Sequence, residues 1–182
     1  MSKILPVKQY YLQTDSETEH SMRMCFSSTC AMAVKFLKPD ALMGSNADDD
    51  YLRTVLEFGD TTIAGAQIRA CMRYGIRATY SQSGKFSDLF SEIDKGFPVA
   101  TGILHKGPVS RPRGGGHWML MIGYTATHGI FHDPYGEMDN VNGGYVKVGS
   151  GGKDVRYTLK NWGRRWMVEG PGTGWYISFR PE

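Results

Sequence analysis

The chain has 182 residues, 41% hydrophobic and 12% aromatic, which is the composition of a folded globular protein long enough to bury a core. Its formal charge of +3 is mild and no basic run or basic helix face stands out, so nucleic-acid binding is not expected, though an anionic polymer such as a cell wall would be slightly favoured. No stretch approaches the ~18 apolar residues of a membrane span. The opening Met1-Ser2-Lys3-Ile4-Leu5-Pro6 lacks the apolar core of a signal peptide. The expectation is a protein made in a cytoplasm and not inserted in a membrane.

Residues 7–13 read as a short extended segment and 14–23 as a polar loop. From Cys25 to Leu37 the pattern is helical, with Cys30, Val34 and Leu37 on one face, hydroxyl residues in the first turn and Pro39 just past the end. A second helix is predicted from Asp48-Asp49-Asp50, whose carboxylates suit a helix N-terminus, with Leu52, Val55 and Leu56 inward and Gly59 closing it. A third spans Ala64 to Tyr74, with Ile68, Cys71 and Met72 inward and Gly75 as cap. A fourth starts near Ser87 and ends at Gly96. The period then changes. Residues 98–104, 117–124, 129–132, 145–148 and 175–179 read as strands, and the Gly-, Pro- and Arg-rich 105–116 as a mobile loop. Helices followed by strands predict an α+β domain, an antiparallel sheet packed on N-terminal helices, with no domain boundary across residues 1–182.

The three cysteines are Cys25, Cys30 and Cys71. An odd number without Cys-x-x-Cys argues against a disulfide framework and against a zinc site. Cys30 and Cys71 fall on the apolar stripes of their helices. Cys25 stands at a helix head, where the backbone dipole favours a thiolate. Taken alone it is also compatible with a small buried hydrophobe.

His117 follows three glycines and opens an apolar strand, so it sits at an edge where a ligand can approach, and an imidazole is the natural base near neutral pH. Alone it equally fits a strand-end histidine bonded to a carbonyl. Asp133 ends the neighbouring strand. A hairpin would lay it beside His117, where it could bind Nδ1–H, although Asp-Pro also simply opens turns. Together these define a nucleophile, a base and an orienting carboxylate. The Cys25 N–H and the Gln13 side-chain amide are candidate oxyanion donors. His20, His105, His128 and His132 look weaker, His132 because it alternates to the opposite face from Asp133.

The motifs Gln13-Thr-Asp15, Cys25-Phe-Ser-Ser-Thr-Cys-Ala-Met32, Gly116-His117-Trp and His132-Asp133-Pro134-Tyr-Gly136 resemble, in order and spacing, those of the C39-like cysteine peptidases. Within that family they resemble the endolysin-type members of bacteriophages. The resemblance implies a papain-like fold, Gln13 in the oxyanion hole, and no cofactor or metal. Phe26-Ser27 follows the cysteine where bacteriocin-processing members have Gly-Pro, and no transporter segment is attached, which favours a wall-lytic role. The implied substrate is an amide bond of peptidoglycan. A monomer is expected, held in the host cytoplasm before lysis and reaching the wall with a holin-type partner. Two other readings stay open: a protein or isopeptide substrate for the same triad, or a non-catalytic wall-binding or virion module with Trp162, Trp166 and Trp175 stacking on sugars.

Overall fold

The computed structural model describes residues 1–182. In chain order it comprises β1 (Lys3–Ile4), a 3-10 turn (Gln13–Asp15), α1 (Cys25–Leu37), α2 (Ala47–Leu56), α3 (Ala64–Arg73), β2 (Ile76–Gly84), α4 (Phe86–Asp94), β3 (Val99–Ile103), β4 (His117–Tyr124), β5 (His128–His132), β6 (Gly136–Met138), β7 (Tyr145–Val148), β8 (Val155–Thr158), α5 (Leu159–Trp166) and β9 (Gly174–Pro181). The main sheet is antiparallel, in the order β2-β9-β3-β4-β5-β8, with β1 added on β4; β6 and β7 form a separate hairpin. The predicted α+β arrangement, helices against an antiparallel sheet, is the one observed.

α1 is the centre of the helical layer. Phe26 through Val34 are all buried, so this helix has no solvent face over those residues; it lies between α2 and α3 on one side and β3 and β4 on the other. Its first-turn hydroxyls reach across instead of capping. Ser28 donates to Asp48 at 2.6 Å, Ser27 pairs with Thr61 at 2.7 Å, and Gln67 Nε2 donates to Ser27 at 2.9 Å. The buried Ser27 and Ser28 hydroxyls are thereby satisfied, while Thr29 Oγ1 has no partner, and the helix carrying Cys25 is fixed to α2 and α3.

Two inward assignments are corrected. Leu56 is 38% exposed and Met72 58% exposed. The buried faces are Ala47, Asp48, Tyr51, Leu52 and Val55 in α2, and Ala66, Gln67, Ala70 and Cys71 in α3. At 3.6 residues per turn, positions 56 and 72 rotate about 100° past the last buried residue of their stripe.

Besides the short β1, β6 and 3-10 turn, three elements lie where the sequence predicts none: β2, β8 and α5. β2 carries few apolar residues because it is the sheet's edge, paired only to β9. β8 covers the other edge against β5. α5 holds Gly163 in mid-helix, a residue that normally argues against helix, yet a Cβ there would lie 2.6 Å from the Phe86 ring. The helix is held instead by burial of Trp162 and Trp166, stacked with centroids 5.3 Å apart, and by Thr158 accepting from the Asn161 N–H. These two tryptophans, offered above as sugar platforms, are core.

Residues 105–116 are also tied down. Lys106 and Arg113 exchange backbone hydrogen bonds at 2.9 and 2.8 Å. Arg165 of α5, 0% exposed, directs its guanidinium at main-chain carbonyls of Leu104, Lys106, Gly107, Asn140 and Val141. Five donors meet five carbonyls with no carboxylate involved, which the rigid guanidinium fork allows and a lysine would not.

Candidate active site

A cleft of about 630 Å³ opens where the head of α1 meets the start of β4, and Cys25, His117 and Gln13 all line it. Cys25 is the first residue of α1 and is half-buried, whereas Cys30 and Cys71 are fully buried. The first N–H groups of a helix have no intrahelical acceptor, so the Cys25 end of α1 presents free donors to the cleft.

His117 opens β4 and pairs in register with Ile103 of β3. Gly116, at φ +89°, makes the left-handed turn that brings the chain into the strand there. β5 runs back antiparallel with Leu120 opposite His132, which delivers Asp133 to the histidine. Asp133 Oδ1 lies 2.7 Å from His117 Nε2, not from Nδ1 as expected. The pairing is the predicted one, but through the other ring nitrogen. That leaves Nδ1 as the nitrogen available to a thiol.

Burial alone would lower the His117 pKa, but the charges of Asp133 and then Cys25, with hydrogen bonds to both, outweigh it and push the value up to about 10. The histidine is therefore an imidazolium at neutral pH. A cation beside a cysteine is what a thiolate requires.

Asp133 is completely buried and densely held. Besides His117, its carboxylate accepts from Tyr145 OH (3.0 and 3.2 Å), Tyr157 OH (3.2 Å) and the Tyr135 N–H (3.1 Å), while Tyr10 OH donates to its main-chain carbonyl at 2.6 Å. Gly152 closes over this point; any Cβ there would meet the Asp133 carbonyl oxygen at 2.1 Å.

Gln13, in the 3-10 turn, is 2% exposed. Its backbone N–H donates to Pro134 O at 2.9 Å, binding the turn to the segment after Asp133. Nε2 donates to Ser21 O at 2.9 Å. One amide hydrogen is used there, which fixes the amide and leaves the second for another acceptor.

His105, a loop residue by its sequence context, lines the cleft with its ring 5.5 Å from His117. Burial, then the charge of His117, lowers its pKa to about 4, so it stays neutral beside the charged histidine. His132 lies away from the cleft as predicted: fully buried, Nε2–H donating to Val7 O (2.8 Å) and Nδ1 accepting from Asp154 N–H (3.1 Å), a neutral tautomer fixed by two backbone groups. Tyr145 and Tyr157 were not singled out. Of the three tryptophans named above, only Trp175 is accessible, 47% exposed at the cleft rim.

A central helix headed by cysteine, packed on an antiparallel sheet that presents a histidine and an aspartate, is the papain-like cysteine peptidase architecture. Residues 4–153 match the Peptidase_C39 like family, and the chain belongs to it. The fold is similar to that of a C39-like peptidase from Bacillus anthracis (14% identity, TM-score 0.64, covering 99% of both chains). It is also similar to the peptidase domain of Streptococcus ComA, a bifunctional ABC transporter of a quorum-sensing pathway (20%, 0.55, covering 99% of this chain and 98% of that one). A third similar structure is a double glycine motif protease from an AMS/PCAT transporter, solved with a leader peptide (13%, 0.52, covering 100% and 99%). No curated protein matches the sequence. The chain is thus a C39-like cysteine peptidase by family and fold. No helix is long and apolar enough to cross a membrane.

Proposed function

We propose that the chain hydrolyses amide bonds with Cys25 as nucleophile, His117 as proton carrier, Asp133 as the group orienting His117, and Gln13 as an oxyanion donor. The observation that carries this reading is the buried His117–Asp133 pair at 2.7 Å opening onto the same cleft as Cys25. The Cys25 thiolate attacks the amide carbonyl. The oxyanion takes the free Gln13 Nε2–H and the Cys25 N–H. The imidazolium gives its proton to the leaving amine as the C–N bond breaks, leaving a thioester. Neutral His117 then takes a proton from water as the water oxygen attacks the thioester; the C–S bond breaks, the acid is released, and the Cys25 thiolate and the His117 imidazolium are regenerated.

The substrate we propose is a cell-wall peptide, cut by a phage-type peptidoglycan hydrolase that works as a monomer without metal or cofactor and reaches the wall through a holin-type partner. Support comes from the resemblance around Cys25-Phe26-Ser27, and from a cleft that combines the cation of Lys106 with an exposed Trp175 at its rim. A carboxylate-bearing peptide attached to sugar has a partner for each. A protein substrate is the second reading, favoured by the exposed apolar side chains of Met22 (66%) and Val168 (43%), which line the same cleft. Incubation with purified peptidoglycan and, separately, with an unfolded protein decides between them: soluble muropeptides from the first support the wall reading, whereas cleavage of the protein alone overturns it.

A further inference from the structure

The Asp133 carboxylate has more donors than an orienting role toward one imidazole requires. A carboxylate offers roughly four lone-pair directions. Here His117 Nε2 and the Tyr135 N–H take Oδ1, Tyr157 OH takes Oδ2, and Tyr145 OH spans both oxygens. Two of these donors are phenols from different elements, β7 and β8, that converge on a fully buried anion.

Neither hydroxyl is free to turn away. The Tyr157 oxygen accepts the Met138 N–H at 2.9 Å, so its own hydrogen is committed to Asp133. The Tyr145 hydroxyl bonds only to Asp133, and its ring stands edge-on to His117 with centroids 5.6 Å apart. Burial, then the Asp133 charge, raises both phenols well above their usual range, so both remain donors at any working pH.

We infer that Tyr145 and Tyr157 are positioning residues whose hydroxyls hold the buried Asp133 carboxylate as an anion and so keep the shared proton on His117. This rests on the Cys25–His117–Asp133 reading given above. The physical reason is selective stabilisation: hydrogen bonds to the charged form of an acid favour that form. Without them the cheapest relief for a buried anion is to take a proton. The active state, with thiolate, imidazolium and carboxylate, would then be lost at a higher pH on the acid side. Its loss on the alkaline side, which removes the His117 proton and leaves Asp133 charged in both states, would not move.

The test is a carboxyl-carbon NMR titration of aspartate-labelled protein for wild type, Tyr145→Phe, Tyr157→Phe and the double variant, with Asp133→Asn identifying the signal. The acid and alkaline limbs of peptidoglycan hydrolysis are measured on the same proteins. The double variant should show the protonated Asp133 carboxyl at a pH where the wild-type signal is still that of the anion, with smaller changes in the singles. Its acid limb should rise with it while the alkaline limb stays. Phenylalanine keeps both rings, and if the double variant does not fold, Tyr145→Phe alone carries the test, since Tyr145 lies on the hairpin outside the main sheet. A carboxyl signal that titrates as in wild type, or activity lowered equally at all pH, overturns the inference. If wild type hydrolyses nothing, the proposed function fails and the carboxyl titration alone decides the tyrosine role. If wild type is active and the signal does not shift, only the tyrosine role falls.

Discussion

Asp133 meets His117 at Nε2, 2.7 Å away, and so assigns the other ring nitrogen to Cys25. The order Cys25, Nδ1, Nε2, Asp133 places the imidazole between the cysteine and the buried carboxylate. That arrangement holds its pKa near 10 against a burial that would lower it.

A pH dependence follows. Hydrolysis should persist until the imidazolium is lost, giving an alkaline limb near pH 10. Asp133→Asn removes the larger raising influence and leaves burial, so its alkaline limb should fall by several pH units and kcat with it. The linkage has the same sign. A histidine raised in the folded state adds stability that is full below its unfolded value of ~6.5 and is lost as pH rises toward 10. Rate–pH profiles of the two proteins check this; coincident alkaline limbs would contradict it.

Gln13→Ala should lower kcat by about 10²–10³ with a smaller effect on KM, because the oxyanion it serves exists only past the ground state. Gln13 also holds Ser21 O, so urea denaturation should accompany the kinetics. A kcat within twofold of wild type would remove it from the mechanism.

Arg165→Met should destabilise the protein by about 3 kcal/mol, since hydrogen bonds from a charged donor to several buried carbonyls are lost together. Arg165→Lys should recover only part of this, because one ammonium cannot span carbonyls on two separate loops. Chemical denaturation of the three proteins measures it, and equal stability of all three would mean the clamp is not structural.

His132 predicts acid sensitivity. Burial lowers its pKa, so the unfolded chain takes up a proton near pH ~6.5 that the folded chain refuses. Stability is present above that value and declines as pH falls below it. His105, lowered to about 4, adds to the same trend. His132→Gln keeps a donor for Val7 O and should flatten the decline between pH 7 and 5, read from urea midpoints. An unchanged slope would argue against the neutral tautomer.

The candidate site was legible in the sequence where side chains stand at element ends. Cys25 heads a helix, His117 begins a strand after glycines, and Asp133 ends the adjacent strand; a hairpin then brings the last two together. Chain periodicity carries that much. It does not say which imidazole nitrogen faces the carboxylate, because that depends on a side-chain torsion. Nor does it reveal that Tyr145 and Tyr157 converge on Asp133 from two strands that belong to different sheets. His105 and Arg165 were missed for a related reason. Both act on a loop whose glycines and prolines suggest freedom, and that loop is fixed by a helix with Gly163 at its middle. Where burial overrides propensity, as in α5 and edge strand β2, local pattern is silent.

The most direct test compares wild type with Cys25→Ala on purified peptidoglycan, with mass spectrometry of the released fragments and circular dichroism of both proteins. The account predicts that wild type releases peptides ending at a single cleaved amide, while Cys25→Ala, equally folded, releases none above background. Equal release by the two proteins would contradict cysteine catalysis. Release by neither, with both folded, would contradict the cell wall as substrate.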